Sequence, residues 1–239
     1  MRLSNRLIIF LLPIFISANF IDNLSCKQII EKYTYIEVPK NAVDNSQNEI
    51  VKMELIHDAT NTICTSVETK NNGKEIIKIG MHRGGNFVSA SSENIDSNGK
   101  LLKKEEIWRD NQNVFVSRKG KIKKIKMPAD IPLDVDASLL INMRMFPFEK
   151  KGIVLKVFMV DFSGSSIFLE IRNAGEENII VPGGGFLCYK MEAIINLYIF
   201  HPKITFWITK NKPHFLVKHM GKKGPFTKSY TTSLVSIGK

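Results

Sequence analysis

Apolar and polar residues alternate along most of this chain in short runs of period two, each closed by glycine, proline, asparagine or aspartate. Successive side chains on an extended backbone point to opposite faces, so the pattern predicts half-buried antiparallel strands. Residues 27–38, rich in Tyr, Thr and Ile, and residues 50–56 read as the first two. A ladder follows at 62–70, 75–83, 87–92, 101–109, 114–118 and 121–127, with turns at Asn71-Asn72-Gly73, Gly84-Gly85, Ser97-Asn98-Gly99, Asp110-Asn111 and Lys119-Gly120. The Asn72-Gly73 and Asn98-Gly99 pairs supply the positive φ that tight hairpins require. Within 101–109, Glu105, Ile107 and Arg109 share one face, and Glu106, Trp108 and Asp110 the other.

The rhythm breaks at Pro128 and Pro132, among Asp130, Asp134 and Asp136. Leu139, Leu140, Met143 and Phe146 then recur at three- and four-residue spacings, which predicts one short helix from Ala137 to Met145, capped by Asp136 or Ser138. Strands resume at 153–162 and 166–172 around Ser163-Gly164-Ser165. The stretch 175–192 reads as a hairpin: Asn173-Ala174-Gly175 closes the run before it, and Pro182 with Gly183, Gly184 and Gly185 reverses the chain before Phe186. Runs at 186–200, 204–210, 214–220 and 226–237 complete a mainly β chain, read as a single domain over 19–239.

Charge and composition change the picture at the first residues. Arg2 and Arg6 precede an apolar run at 7–16, and Ile16-Ser17-Ala18 offers small residues for a signal peptidase, so residues 1–18 read as a secretory leader. The run is short beside the ~20 residues that a bilayer span needs. An exported, periplasmic protein of a Gram-negative-type envelope is expected. Removing 1–18 takes two arginines and no acid, so the formal charge of +11 becomes +9. In that compartment a basic protein meets anionic lipid headgroups and envelope polyanions, not nucleic acid. Lys121, Lys123, Lys124 and Lys126 crowd one strand, either to guard an exposed sheet edge or to contact an anionic membrane surface. Three cysteines are too few for a disulfide framework. Cys64 and Cys188 are candidates for one bridge, and Cys26 lacks the small residues that precede a lipid-acceptor cysteine.

No Gly-x-Ser-x-Gly elbow, phosphate-binding glycine loop or His-Glu-x-x-His is present, and His57, His82, His201, His214 and His219 lack metal-ligand spacing. Neither catalytic residues nor a metal or cofactor is expected, and Asp134 with Asp136 reads as turn and cap chemistry.

In order, Pro132-Leu133-Asp134-Val135-Asp136-Ala137-Ser138, Arg144 near Pro147-Phe148, Gly175-Glu176, Val181-Pro182-Gly183-Gly184-Gly185-Phe186, Tyr189-Lys190-Met191-Glu192 and Phe206-Trp207-Ile208-Thr209 before Pro213 carry a resemblance. Over residues 128–237 the chain resembles an uncharacterised family of bacterial periplasmic proteins, related in architecture to the lipoprotein carriers LolA and LolB. The resemblance implies a strongly curved antiparallel sheet, an unclosed and clam-like barrel, with the short helix over its concave apolar side. Such a sheet leaves an inner face that a helix, a ligand or a partner must cover. The resulting expectation is a hollow not filled by the protein's own side chains. Trp108, Leu140, Met143, Phe146 and Trp207 would line it, and a lipid or acylated ligand would occupy it. A non-enzymatic assembly factor that binds another envelope protein through a strand edge or the helix is the alternative.

Overall fold

A computed structural model describes residues 28–40, 47–70, 72–129, 131–135, 138–150, 152–195, 202–222 and 229–238. The leader at 1–18 and Cys26 lie outside the described residues, as do Asp136 and Ala137. The strands are β1 (Ile29–Pro39), β2 (Glu49–His57), β3 (Asn61–Lys70), β4 (Gly73–His82), β5 (Phe87–Asp96), β6 (Leu101–Asp110), β7 (Asn113–Arg118), β8 (Lys121–Lys126) and β9 (Leu133–Asp134). Helix α1 (Ser138–Asn142) and a 3-10 turn (Met143–Met145) follow, then β10 (Val154–Val160), β11 (Ser166–Val181), β12 (Gly184–Ile195), β13 (Lys203–Thr209), β14 (Leu216–Lys222) and β15 (Ser229–Gly238).

All fifteen strands belong to one sheet in the order β8-β7-β6-β5-β4-β3-β2-β1-β15-β14-β13-β12-β11-β10-β9. Two meanders, each zipped from neighbouring hairpins, are joined where β1 pairs with β15. Neighbours are antiparallel except β9, which runs parallel to β10. The edges β8 and β9 do not pair, so the sheet is large, curved and unclosed. Across the first meander Leu55, Cys64, Ile79, Ala90, Ile107 and Val116 stand side by side in register on the inner face, all buried. Tyr189, Met191, Phe206, Ile208 and Leu234 form the inner wall of the second. Helix α1 and its 3-10 turn cover this concave face, as the spacing of Leu139, Met143 and Phe146 requires. Asn142 and Met145 press so closely on the Gly85 turn that a Cβ there would overlap the Met145 side chain.

Several local expectations are corrected. Asn173-Ala174-Gly175 is no turn: β11 runs through it with a register shift between Asn173 and Glu176, a bulge in which Gly175 has φ +128°. The hairpin closes tightly at Pro182-Gly183 between the paired Val181 and Gly184. Its arms are 16 and 12 residues long, enough for the Gly183 N–H to donate to the Leu234 carbonyl of β15 at 2.9 Å. Gly73 already belongs to β4, paired with Lys70, so that turn is centred one residue earlier. Cys64 and Cys188 are both free and buried. The Cys64 side chain faces the core, whereas Cys188 stands opposite Thr209 on the outer face, and the sheet separates them.

The four lysines of the basic strand do not form one surface. β8 is an edge, and its side chains alternate. Lys123 turns inward and its ammonium donates to the Gly164 carbonyl at 2.8 Å, in the turn between β10 and β11. One side chain thus bridges the seam between the two ends of the sheet. Lys124 points outward with its ammonium 5.9 Å from the Phe115 ring centroid, and Lys121 and Lys126 are exposed.

Candidate functional site

The plug over the hollow is built from its first residue. The Asp134 carboxylate accepts from the Val135 N–H at 3.0 Å, from the Ser138 hydroxyl and from the Asn142 amide at 3.1 Å, so one buried acid ties the strand end to the whole helix. Leu139, Ile141 and Met143 then enter the core. Phe146 packs on Phe148, whose ring stacks on Tyr189 with centroids 4.4 Å apart. Arg144 donates to Glu31 of β1 at 2.6 Å and lies over the Tyr33 ring at 5.4 Å. The Tyr33 hydroxyl donates to the same carboxylate at 2.7 Å, and His57 approaches its other oxygen at 3.6 Å. Burial pushes the Glu31 pKa up, but the His57, Arg144 and Tyr33 contacts outweigh it and pull the value to about 2.

With the plug seated, the space among Tyr35, Met53, Leu55, Leu140, Ile141, Arg144 and Leu216 measures about 10 Å³. That is the lower limit for one water molecule. Among the described residues, the protein's own side chains fill the expected hollow at this gap. Leu140, Met143 and Phe146 are brought together as expected, but as packing between helix and sheet. A gap of about 10 Å³ admits no acyl chain beside Leu140.

Trp108 and Trp207 lie elsewhere, on the outer face. Trp207 is 6% exposed beneath a charged cover: its indole N–H donates to Glu177 at 2.7 Å, and the Lys190 and Lys218 ammonium groups stand 5.7 and 5.3 Å from the ring. Trp108 belongs to an outward row that crosses β3 to β8 as Ile63, Gly80, Ser89, Trp108, Phe115 and Lys124. Gly80 and Ser89 leave the middle of that row low. The result is an open groove of about 500 Å³ between Ile63 and Trp108, with Lys78, Ser91 and Glu106 along its rim. Alternation puts Trp108 on the same face as Glu106, opposite Ile107, and the structure follows that parity: the interior position expected from its residue type is corrected. A glycine inside the Ile79-Gly80-Met81 run was the local signal for a low spot.

A second feature the sequence did not disclose is an acidic group at the end of β1 opposite Glu31. Carboxylate oxygens of Glu37, Glu49 and Glu68 lie within 4.8 Å of one another, with Glu37 and Glu49 directly opposed across β1 and β2. Lys70 offsets part of that charge, 3.4 Å from Glu68 and 3.0 Å from Glu75. The three acids come from three strands, so no linear spacing reveals them.

No family model and no curated protein matches this chain. Among solved structures it is similar to a β-barrel-like protein of a domain of unknown function, DUF1849, from Brucella abortus, with TM-score 0.56 and 10% identity over 87% of this chain and 97% of that one. A lipoprotein candidate from Parabacteroides distasonis aligns at TM-score 0.33 and 13% identity, over 87% and 94% of the two chains. An exported-protein candidate with a YmcC-like fold from Bacteroides fragilis aligns at 0.30 and 13%, over 87% and 95%. The first of these is a likeness of fold, a large β-barrel-like sheet of the kind described above.

Proposed function

We propose that the protein is an exported, non-enzymatic binding protein of the cell envelope that meets its partner on the outside of a solid, curved sheet. One observation carries the choice of surface over interior: among the described residues, the gap beneath the plug bounded by Tyr35, Met53, Leu55, Leu140 and Leu216 is about 10 Å³. Export rests on the leader read at 1–18, and the non-enzymatic character on the motifs missing from the sequence.

Carriage of a lipid inside the sheet is the second reading, supported by the resemblance to lipoprotein carriers and by a plug whose helix is only five residues long. Magnitudes weigh against it. Seating a chain of about 14 methylenes returns ~11 kcal/mol at ~0.8 per methylene. Expelling Leu139, Ile141, Met143, Phe146 and Phe148 costs about 1.5–3 kcal/mol each, or ~7–15 in all. Association itself costs about 4–15 kcal/mol more. Lipid extraction of the purified protein with mass spectrometry, together with titration of a fluorescent fatty acid, decides between the two. Surface binding predicts no co-purified lipid and no saturable uptake, whereas one lipid per chain would establish carriage.

A further inference from the structure

We propose that the outer groove between Ile63 and Trp108 is a binding site for a neutral hexopyranose chain, a glycan of the envelope. The inference rests on the surface-binding reading and names its ligand. The slot exists because Gly80 has no side chain and Ser89 a short one, between two taller walls. It crosses β3 to β6, three inter-strand spacings or about 14 Å, so a ribbon-like chain can lie across the strands with its outer edge in water. The indole of Trp108 is braced from behind: Phe115 stacks on it at 5.5 Å and 11°, with Lys124 over Phe115 in turn. Its other face borders the groove, a rigid platform of the sort that packs against the C–H face of a sugar ring.

The rim supplies the hydroxyl partners. Ser89 and Ser91 both donate and accept, Lys78 donates, and Glu106 accepts while Lys104 holds it at 2.9 Å. Both charge signs are present, so an anionic headgroup would meet the Glu106 carboxylate. An acyl chain would leave its upper side wet in so open a groove, and burial in water-free surroundings is what drives its binding. A ring with one apolar face and hydroxyls around its edge matches these walls. The backbone bends at the slot as well, because β4 and β5 change register between Gly80 and Met81, and bulges of this kind often sit beside sites.

Gly80 gives the test its handle. A Cβ there would lie 3.4 Å from the Ser89 hydroxyl, an ordinary separation, so Gly80→Ala fits while Gly80→Leu fills the slot from the solvent side. The full chain carries two tryptophans, and Trp207→Phe leaves Trp108 as the sole reporter. Tetramers of β-1,4-linked glucose and N-acetylglucosamine are titrated against it by emission, with calorimetry for variants. A saturable change in Trp108 emission with at least one tetramer is expected. Binding should be kept in Gly80→Ala and weakened about tenfold or more in Gly80→Leu and Trp108→Ala. Ser89→Val, at the neighbouring floor position across β4 and β5, repeats the block should Gly80→Leu fail to fold. The proposal is overturned by no saturable response to either tetramer, by full binding in the blocked variants, or by a photo-crosslink from position 63 that captures a discrete protein and no glycan. A protein that ignores both tetramers and the fluorescent fatty acid loses this site alone. One that ignores the tetramers but takes up the fatty acid loses the surface reading too.

Discussion

Replacing Arg144 by methionine isolates the lock between plug and sheet. The variant keeps the length and apolar stem of the side chain but withdraws the cation from Glu31 and from the Tyr33 ring. A fall of the Glu31 pKa from 4.5 to about 2 corresponds to ~3.4 kcal/mol at ~1.36 per unit. His57 and Tyr33 also hold that carboxylate and remain in the variant, and the group is 20% exposed, so the share removed with Arg144 is about 1 kcal/mol. Leaving the acid with fewer partners in buried surroundings acts in the same direction, as does losing the guanidinium from the ring, worth about 0.5–1 kcal/mol. A loss of about 1–3 kcal/mol at pH 7 is expected. Because the folded-state pKa lies below the ordinary value, the stabilisation is complete above pH 4.5 and disappears as pH falls toward 2. The gap between wild type and Arg144→Met should therefore narrow over that window. Urea denaturation at pH 7, 5 and 3 measures it, and Glu31→Gln combined with Arg144→Met, which removes both charges, should recover much of the loss. A single variant within about 0.5 kcal/mol of wild type at pH 7, or a gap as wide at pH 3 as at pH 7, would refute the lock.

Two further expectations concern the seam and the thiols. Lys123→Met removes the bond to Gly164 and should cost about 1–2 kcal/mol, whereas Lys121→Gln and Lys126→Gln, both exposed, should stay within about 0.5 kcal/mol in the same denaturation assay; equal effects at all three positions would deny Lys123 its bridging role. Burial pushes the Cys64 and Cys188 thiols up to about 12. In a Cys26→Ser variant a thiol reagent at pH 8 should label neither in the folded protein and both in denaturant, and rapid labelling of the native state would contradict their placement.

The first meander was readable almost residue by residue, because each of its hairpins announces itself locally: Asn98-Gly99 and Lys119-Gly120 sit at turns, and alternation fixes the register between them. Where the reading failed, the deciding contact was distant. Gly175 carries the local mark of a turn and becomes a bulge because the continued pairing of β11 with β12 outweighs it. Strand β9 has two residues and no pattern of its own, so only its pairing with Phe158 and Met159 makes it a strand. Residue type alone puts Trp108 and Trp207 inside, whereas the parity of Glu106 with Trp108 separates that indole from Ile107. Whether the hollow is full depends on how Arg144, Leu140 and Phe148 meet strands far along the chain, which periodicity does not encode. The groove at Gly80 needs four strands in register before it exists at all.

Strand β1 lies in the middle of the sheet, and its second neighbour is the last strand of the chain. A polypeptide delivered across a membrane from its N-terminus can zip β1 to β8 as it emerges, yet one flank of an eleven-residue central strand stays bare until β15 arrives. Four lysines lie along the permanent border at β8, whereas this temporary border carries one lysine, Lys32, and the two inward acids Glu31 and Glu37. The interval between exit of the first strand and exit of the last is thus when the protein is most open to pairing with a neighbour, and a holding chaperone would act in that interval.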